Sequence, residues 1–110
     1  MESPIKIIDE DLLDTFRVPG TCEICGKWCR QREPHHIYGR GFGGGSRLDI
    51  RYNLLSLGHS QTFQCQCHHD IHAGKISREK LLRIVANREG CQPSDITDEI
   101  NKILRTPKGY

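Results

Sequence analysis

Cys22-Glu-Ile-Cys25-Gly-Lys sets two thiols two residues apart and just ahead of a glycine, the spacing at which a backbone turns tightly around one ion. Such a knuckle supplies half of a tetrahedral zinc shell. The other half needs two more soft ligands, and Cys65-Gln-Cys67 is the nearest pair, which gives a four-thiolate structural site. Its one-residue gap is tighter than usual, so His59, or Cys29 in Cys25-Gly-Lys-Trp-Cys29, competes for the place of Cys65. A redox Cys-x-x-Cys or ordinary buried thiols are the plainer readings, but no thioredoxin-like strand–helix–strand pattern surrounds the motif.

The histidines form two further groups. His35 and His36 are neighbours, and neighbouring residues of a strand point to opposite faces, so they suit two different jobs. In His68-His69-Asp70-Ile71-His72, His68 and His72 stand four apart and share one face of a helix, the spacing that lets two imidazoles hold one cation. His69 falls about one hundred degrees round that helix and reads as a surface residue, as does Asp70.

The elements that must carry these groups can be read around them. Asp9 to Arg17 is a short helix with Leu12, Leu13 and Phe16 on one side, acids in its first turn and Pro19-Gly20 beyond its end. His35 to Tyr38 and Leu54 to Leu57 are short strands, separated by the glycine-rich stretch Gly39 to Ser46 and by Arg47 to Asn53. After Cys67 a helix begins that ends before Gly74, so the working order is strand, strand, helix. Ser77 caps a further helix with Leu81, Leu82, Ile84 and Val85 on its apolar side, running towards Gly90. Asp95 caps the last one, where Ile96, Ile100, Ile103 and Leu104 recur at helical spacing before Pro107. The chain is expected to be α+β: an arm and short helix over 1–20, a chemical core over 21–76, and a C-terminal helical extension of the same domain over 77–110.

Composition points the same way. Between Thr21 and Ile76 lie all six histidines, five of the six cysteines and eight of the eleven glycines. With 110 residues, 35% hydrophobic and 6% aromatic, the apolar material is thin, so a staple is expected. The opening Met1 to Asp14 has acids and no apolar core of a signal peptide, and no apolar run reaches membrane-spanning length, so a reducing cytoplasm and metal are favoured over disulfides. A formal net charge of +2 is too small to argue for a nucleic-acid partner by itself.

Taken together, Cys22-x-x-Cys25, His35-His36-Ile37, Asn53-Leu54-Leu55-Ser56-Leu57 and Cys67-His68-x-x-x-His72 resemble the zinc-bearing branch of the HNH endonucleases, the ββα-metal group that includes the colicin-type DNases. The resemblance spans roughly the middle half of the chain. It implies a small ββα-metal core with a structural zinc, a phage or bacterial-cell setting, and metal-dependent cleavage of DNA. It also implies roles: His35, His68 and His72 as ligands of a catalytic divalent ion, His36 as general base, and Asn53 as the middle residue of the signature. The chain departs from the family at Gly58, where relatives commonly have the third cysteine, and in the long stretch from Gly58 to Gln64.

Such a site has the parts that phosphodiester hydrolysis needs. A neutral His36, with an ordinary pKa of about 6.5, takes a proton from water, and a loop carbonyl is expected to hold its other nitrogen. Three imidazoles suit Mn²⁺, Co²⁺, Ni²⁺ or Zn²⁺ better than Mg²⁺. Asn53 is expected to hydrogen bond across the loop between the strands. Arg51 first, then Arg47, Arg40 and Lys75, with the amides of Gly43, Gly44 and Gly45, are candidates to grip phosphates. Two other readings stand beside this one: a zinc-ribbon module that binds nucleic acid or protein without chemistry, and a metal-responsive regulator.

Overall fold

The computed structural model describes residues 5–38 and 46–105. Arg40, Gly43, Gly44, Gly45 and Pro107 lie outside the described residues. In chain order the elements are β1 (Lys6–Ile7), α1 (Glu10–Thr15), β2 (Gly20–Thr21), β3 (Trp28–Cys29), β4 (Arg32–His36), β5 (Arg47–Leu48), β6 (Leu54–Gly58), α2 (Cys67–His72), α3 (Arg78–Glu89) and α4 (Pro93–Arg105). The mixture is α+β, as expected. No described helix is long and apolar enough to cross a membrane.

The scaffold of the site is the antiparallel pair β4–β6, with Arg32 opposite Gly58, His35 opposite Leu55 and His36 opposite Leu54. Both strands start or end away from their expected bounds. β4 begins three residues earlier than His35 and stops at His36, because from Ile37 on the backbone turns to bond with the Asn53 segment, where Ile37 N–H donates to the Asn53 carbonyl at 2.9 Å. β6 is buried along its whole length, and its two faces serve different cores. Leu55 and Leu57 join Leu81, Leu82, Val85, Ile96 and Ile100 of the two long helices. Leu54 faces Leu13 and Phe16 of the N-terminal arm, and the Ser56 hydroxyl donates to the Phe16 carbonyl. This is the period-two alternation of a strand pressed between two layers.

Local chemistry sets the helix ends. Asp9 caps α1 by accepting from Leu12 N–H at 2.9 Å. Ser77 caps α3 through Lys80 N–H at 3.2 Å, and Gly90, with φ at +74°, closes it. The last helix corrects the sequence reading. It starts at Pro93, which suits a first helical position, and Asp95 lies inside it, its carboxylate reaching back to Gln92 N–H at 2.9 Å. Arg88 and Glu89 at the end of α3 clamp the segment leading into β6. Arg88 donates to the carbonyls of Arg51 and Leu54 at 2.7 and 2.9 Å, and Glu89 takes the fork of Arg51 at 2.9 and 3.1 Å. Burial of β6 and this clamp together fix the register on which the histidines depend.

Candidate metal centre and histidine cleft

The sulfurs of Cys22, Cys25, Cys65 and Cys67 all lie within 4.8 Å of one another. Tetrahedral zinc with Zn–S bonds of about 2.3 Å needs S···S edges of about 3.8 Å, so the four thiols fit one ion. The knuckle is shaped by Gly26, at φ +75°, and by paired bonds from Cys22 N–H to the Lys27 carbonyl and from Gly26 N–H to the Cys22 carbonyl, each 2.9 Å. Burial raises the Cys22 thiol, but hydrogen bonds from the backbone at Cys25, Ile24 and Gly58 outweigh it and bring it below the usual thiol range. Burial, then the charge of Cys22, pushes Cys67 well up, and burial raises Cys65. A cation entering such a set displaces protons, so its affinity rises with pH.

The two competitors for the place of Cys65 are engaged elsewhere. Cys29 is buried with its thiol 3.3 Å from the Lys27 carbonyl, and His59 Nδ1 accepts from Gln61 N–H at 3.2 Å. Gly58 explains how Cys65 arrives from so long a connection. A Cβ there would sit 2.8 Å from Cys65 Sγ and 3.0 Å from Cys29 Sγ, so only a glycine leaves the space that the Cys65 sulfur fills.

A second group of side chains gathers where β4 meets α2. The rings of His35 and His68 have centroids 5.6 Å apart, those of His35 and His72 6.3 Å, and those of His68 and His72 4.7 Å. The Nε2 atoms of His68 and His72 are 3.0 Å apart, one turn along the helix as their spacing requires. Among the described residues, however, the convergence of ligand atoms within 4.8 Å belongs to the four cysteines. Burial, followed by the positive charge of His68 and His72, lowers the His35 pKa to about 4, so its ring is neutral at neutral pH, the form in which imidazole binds metals.

His36 looks the other way. Its Nε2 is 2.8 Å from Asp49 Oδ1, where a loop carbonyl was expected; the partner is a carboxylate buried to 1% exposure. Asp49 in turn accepts from Arg47 Nε and Nη2 at 3.0 and 2.8 Å and from Asp9 N–H at 2.9 Å. Asn53 does hydrogen bond across the loop. Its Oδ1 accepts from Tyr38 N–H at 2.8 Å, and its Nδ2 donates to the carbonyls of Leu48 and Tyr38 at 2.9 and 3.2 Å. It thereby fixes the segment that carries Asp49, one step removed from His36. His35 and His36 nevertheless edge one cleft of 410 Å³, together with Glu33, His59, His72 and Arg17.

Glu33 and Asp49 were missed from the sequence. Glu33 Oε1 lies 2.8 Å from His68 Nδ1, although that nitrogen makes no well-aligned hydrogen bond, and it accepts from Ser60 N–H at 3.0 Å. Its signal was present: two residues before His35 on a strand means the same face. The candidate phosphate contacts fare differently. Arg51 is taken up by Glu89, and Arg47 by Asp49 and Glu10, so neither presents a free guanidinium fork. Lys75 is exposed beyond α2. Arg17, paired with Asp14 at 2.6 Å, borders the cleft and was not singled out. No family model, no curated protein and no solved structure matches the chain.

Proposed function

We propose that the chain is a metal-dependent endonuclease of HNH type that hydrolyses DNA phosphodiesters and is stapled by one structural zinc. The observation that carries the reading is the division of labour within one cleft: His35 turned to His68 and His72, and its neighbour His36 turned to Asp49. A binding module needs neither arrangement. A divalent ion held by His35, His68 and His72 would supply Lewis acidity at a phosphoryl oxygen and at the leaving oxygen.

The rest falls to the chain's own groups. With Nε2 facing the Asp49 carboxylate, His36 keeps its proton there, which leaves Nδ1 as the basic atom that takes a proton from water. Glu33 beside His68 Nδ1 leaves Nε2 of that ring for the cation, as carboxylates beside metal-bound histidines do. Arg17 borders the cleft, and it reaches a substrate phosphate by exchanging its Asp14 partner for it.

The test is supercoiled plasmid incubated with Mn²⁺, Co²⁺, Ni²⁺, Zn²⁺ or Mg²⁺ and scored for open-circular and linear forms. The parent opens the plasmid, and His36→Ala does so on the order of 10²- to 10⁴-fold more slowly while folding normally. No cleavage with any ion, or cleavage by His36→Ala at the parental rate, overturns the reading in favour of a zinc-ribbon binding module.

A further inference from the structure

Phe63 stands apart from both cores and is 84% exposed. It closes a short 3-10 turn, Ser60–Thr62, in the long connection between β6 and α2, and its backbone is left-handed, at φ 53° and ψ 40°. A bulky side chain disfavours that conformation, so the surrounding structure must hold it. It does so through several bonds: Ser60 N–H to Glu33, Gln61 N–H to His59, and Arg30 N–H to the Gln64 side chain at 2.9 Å. The ring is thus presented to solvent by a braced turn.

In front of it opens a groove of 720 Å³, bordered by Phe63, Ser60, Gln66, His68, His69 and His72, in the range of roughly 300–1,000 Å³ typical of ligand clefts. His72 also borders the cleft that holds His35 and His36, so the two recesses meet at one side chain. No carboxylate lines the groove among the described residues, and three imidazoles do. An exposed flat ring, a rim without a carboxylate and a shared wall with a phosphodiester site match a nucleotide whose phosphate lies at the histidines.

We propose that Phe63 is a stacking platform for an unpaired nucleobase next to the phosphodiester to be cut, so that single-stranded or locally opened DNA is the favoured substrate. This rests on the nuclease reading of the adjoining cleft. In a duplex every base face is already stacked, and a base reaches Phe63 only where it is unpaired or turned out. Stacking on an aromatic side chain tolerates any base, so the preference concerns strandedness and not sequence.

The test places a reporter at the ring: Phe63→Trp in a Trp28→Phe background, titrated with a short oligothymidylate, the corresponding duplex, and an abasic oligomer of equal charge, without added divalent ion. The indole emission is quenched by oligothymidylate and hardly changed by the other two. Phe63→Asn, which removes the ring but suits the left-handed backbone, binds oligothymidylate about 5- to 150-fold more weakly than the parent, and Phe63→Tyr restores binding. Unaltered emission at high oligonucleotide, or equal quenching by the abasic oligomer, overturns the proposal. The two readings separate. Quenching without plasmid cleavage by the parent keeps the platform and removes the nuclease; plasmid cleavage with Phe63→Asn cutting single strands at the parental rate keeps the nuclease and removes the platform.

Discussion

Replacing Asp49 by asparagine keeps its shape and removes its charge. Burial opposes the charged carboxylate, but the hydrogen bonds from Arg47, from the Asp9 amide and from His36 outweigh it and lower the pKa from 3.8 to about 2. That depression is worth about 2–3 kcal/mol at neutral pH. The variant also leaves Arg47, whose side chain is 16% exposed, with Glu10 at 3.2 Å as its one remaining carboxylate among its ion pairs. Removing one partner of a buried pair commonly costs about 3–5 kcal/mol, and that is the loss expected for Asp49→Asn at pH 7. Because the folded carboxylate titrates below its unfolded value, its stabilisation is full above about pH 4 and fades as pH falls towards 2. The gap between parent and variant in urea midpoints, converted to free energy, therefore narrows in acid; protonation of the thiols, common to both chains, cancels in the difference. If Asp49 acts on catalysis through His36, Asp49→Asn adds little to the rate loss of His36→Ala in the double variant. A variant within about 1 kcal/mol of the parent at pH 7, or a gap independent of pH, would refute the account.

Cys22→Ser and Cys65→Ser should each lose tightly held zinc and melt far below the parent, whereas Cys29→Ser and His59→Ala retain the ion; elemental analysis after dialysis and thermal melts decide this. Gly58→Ala puts a methyl group 2.8 Å from Cys65 Sγ and should speed zinc release to a chromogenic chelator, while an unchanged rate would show that the loop yields freely. His35→Ala should abolish calorimetric binding of Mn²⁺ or Ni²⁺ and leave the thiolate zinc in place, and loss of both metals together would join the two sites into one.

Residue types with short, fixed spacing were legible in the sequence. Cys22 and Cys25, His68 and His72, the cap at Ser77, and the apolar spacing of α3 depend on local geometry, and the structure places each as its spacing demands. The grouping of Cys65 with Cys67 was readable too, since few other soft ligands were at hand. What stayed hidden depends on distant partners. Asp49 meets His36 and Asp9 across gaps of 13 and 40 residues, and nothing in the neighbourhood of Asp49 marks it as buried. Arg51 looked free because Glu89, its partner 38 residues on, belongs to another element. The two-residue strands β1, β2, β3 and β5 are too short to show a period, and they form only where tertiary contact supplies an opposite edge.

The four thiols tie a turn at residues 22–25 to the start of α2 at 65–67, and the tie has a consequence for folding. Between them lie β4, the Asn53 turn and β6, so an ion bound to all four closes a loop of roughly forty residues. By the chain-entropy argument for cross-links, this closure is worth on the order of 4 kcal/mol. It lies within a chain whose strand pairing joins residues far apart, where the search for partners limits the rate of folding. Zinc uptake and strand pairing are then steps of one search: the ion shortens the path by which β4 finds β6. A nascent chain starved of zinc would linger with its strand edges open, vulnerable to aggregation and proteolysis, and would leave the histidines of β4 and α2 unassembled.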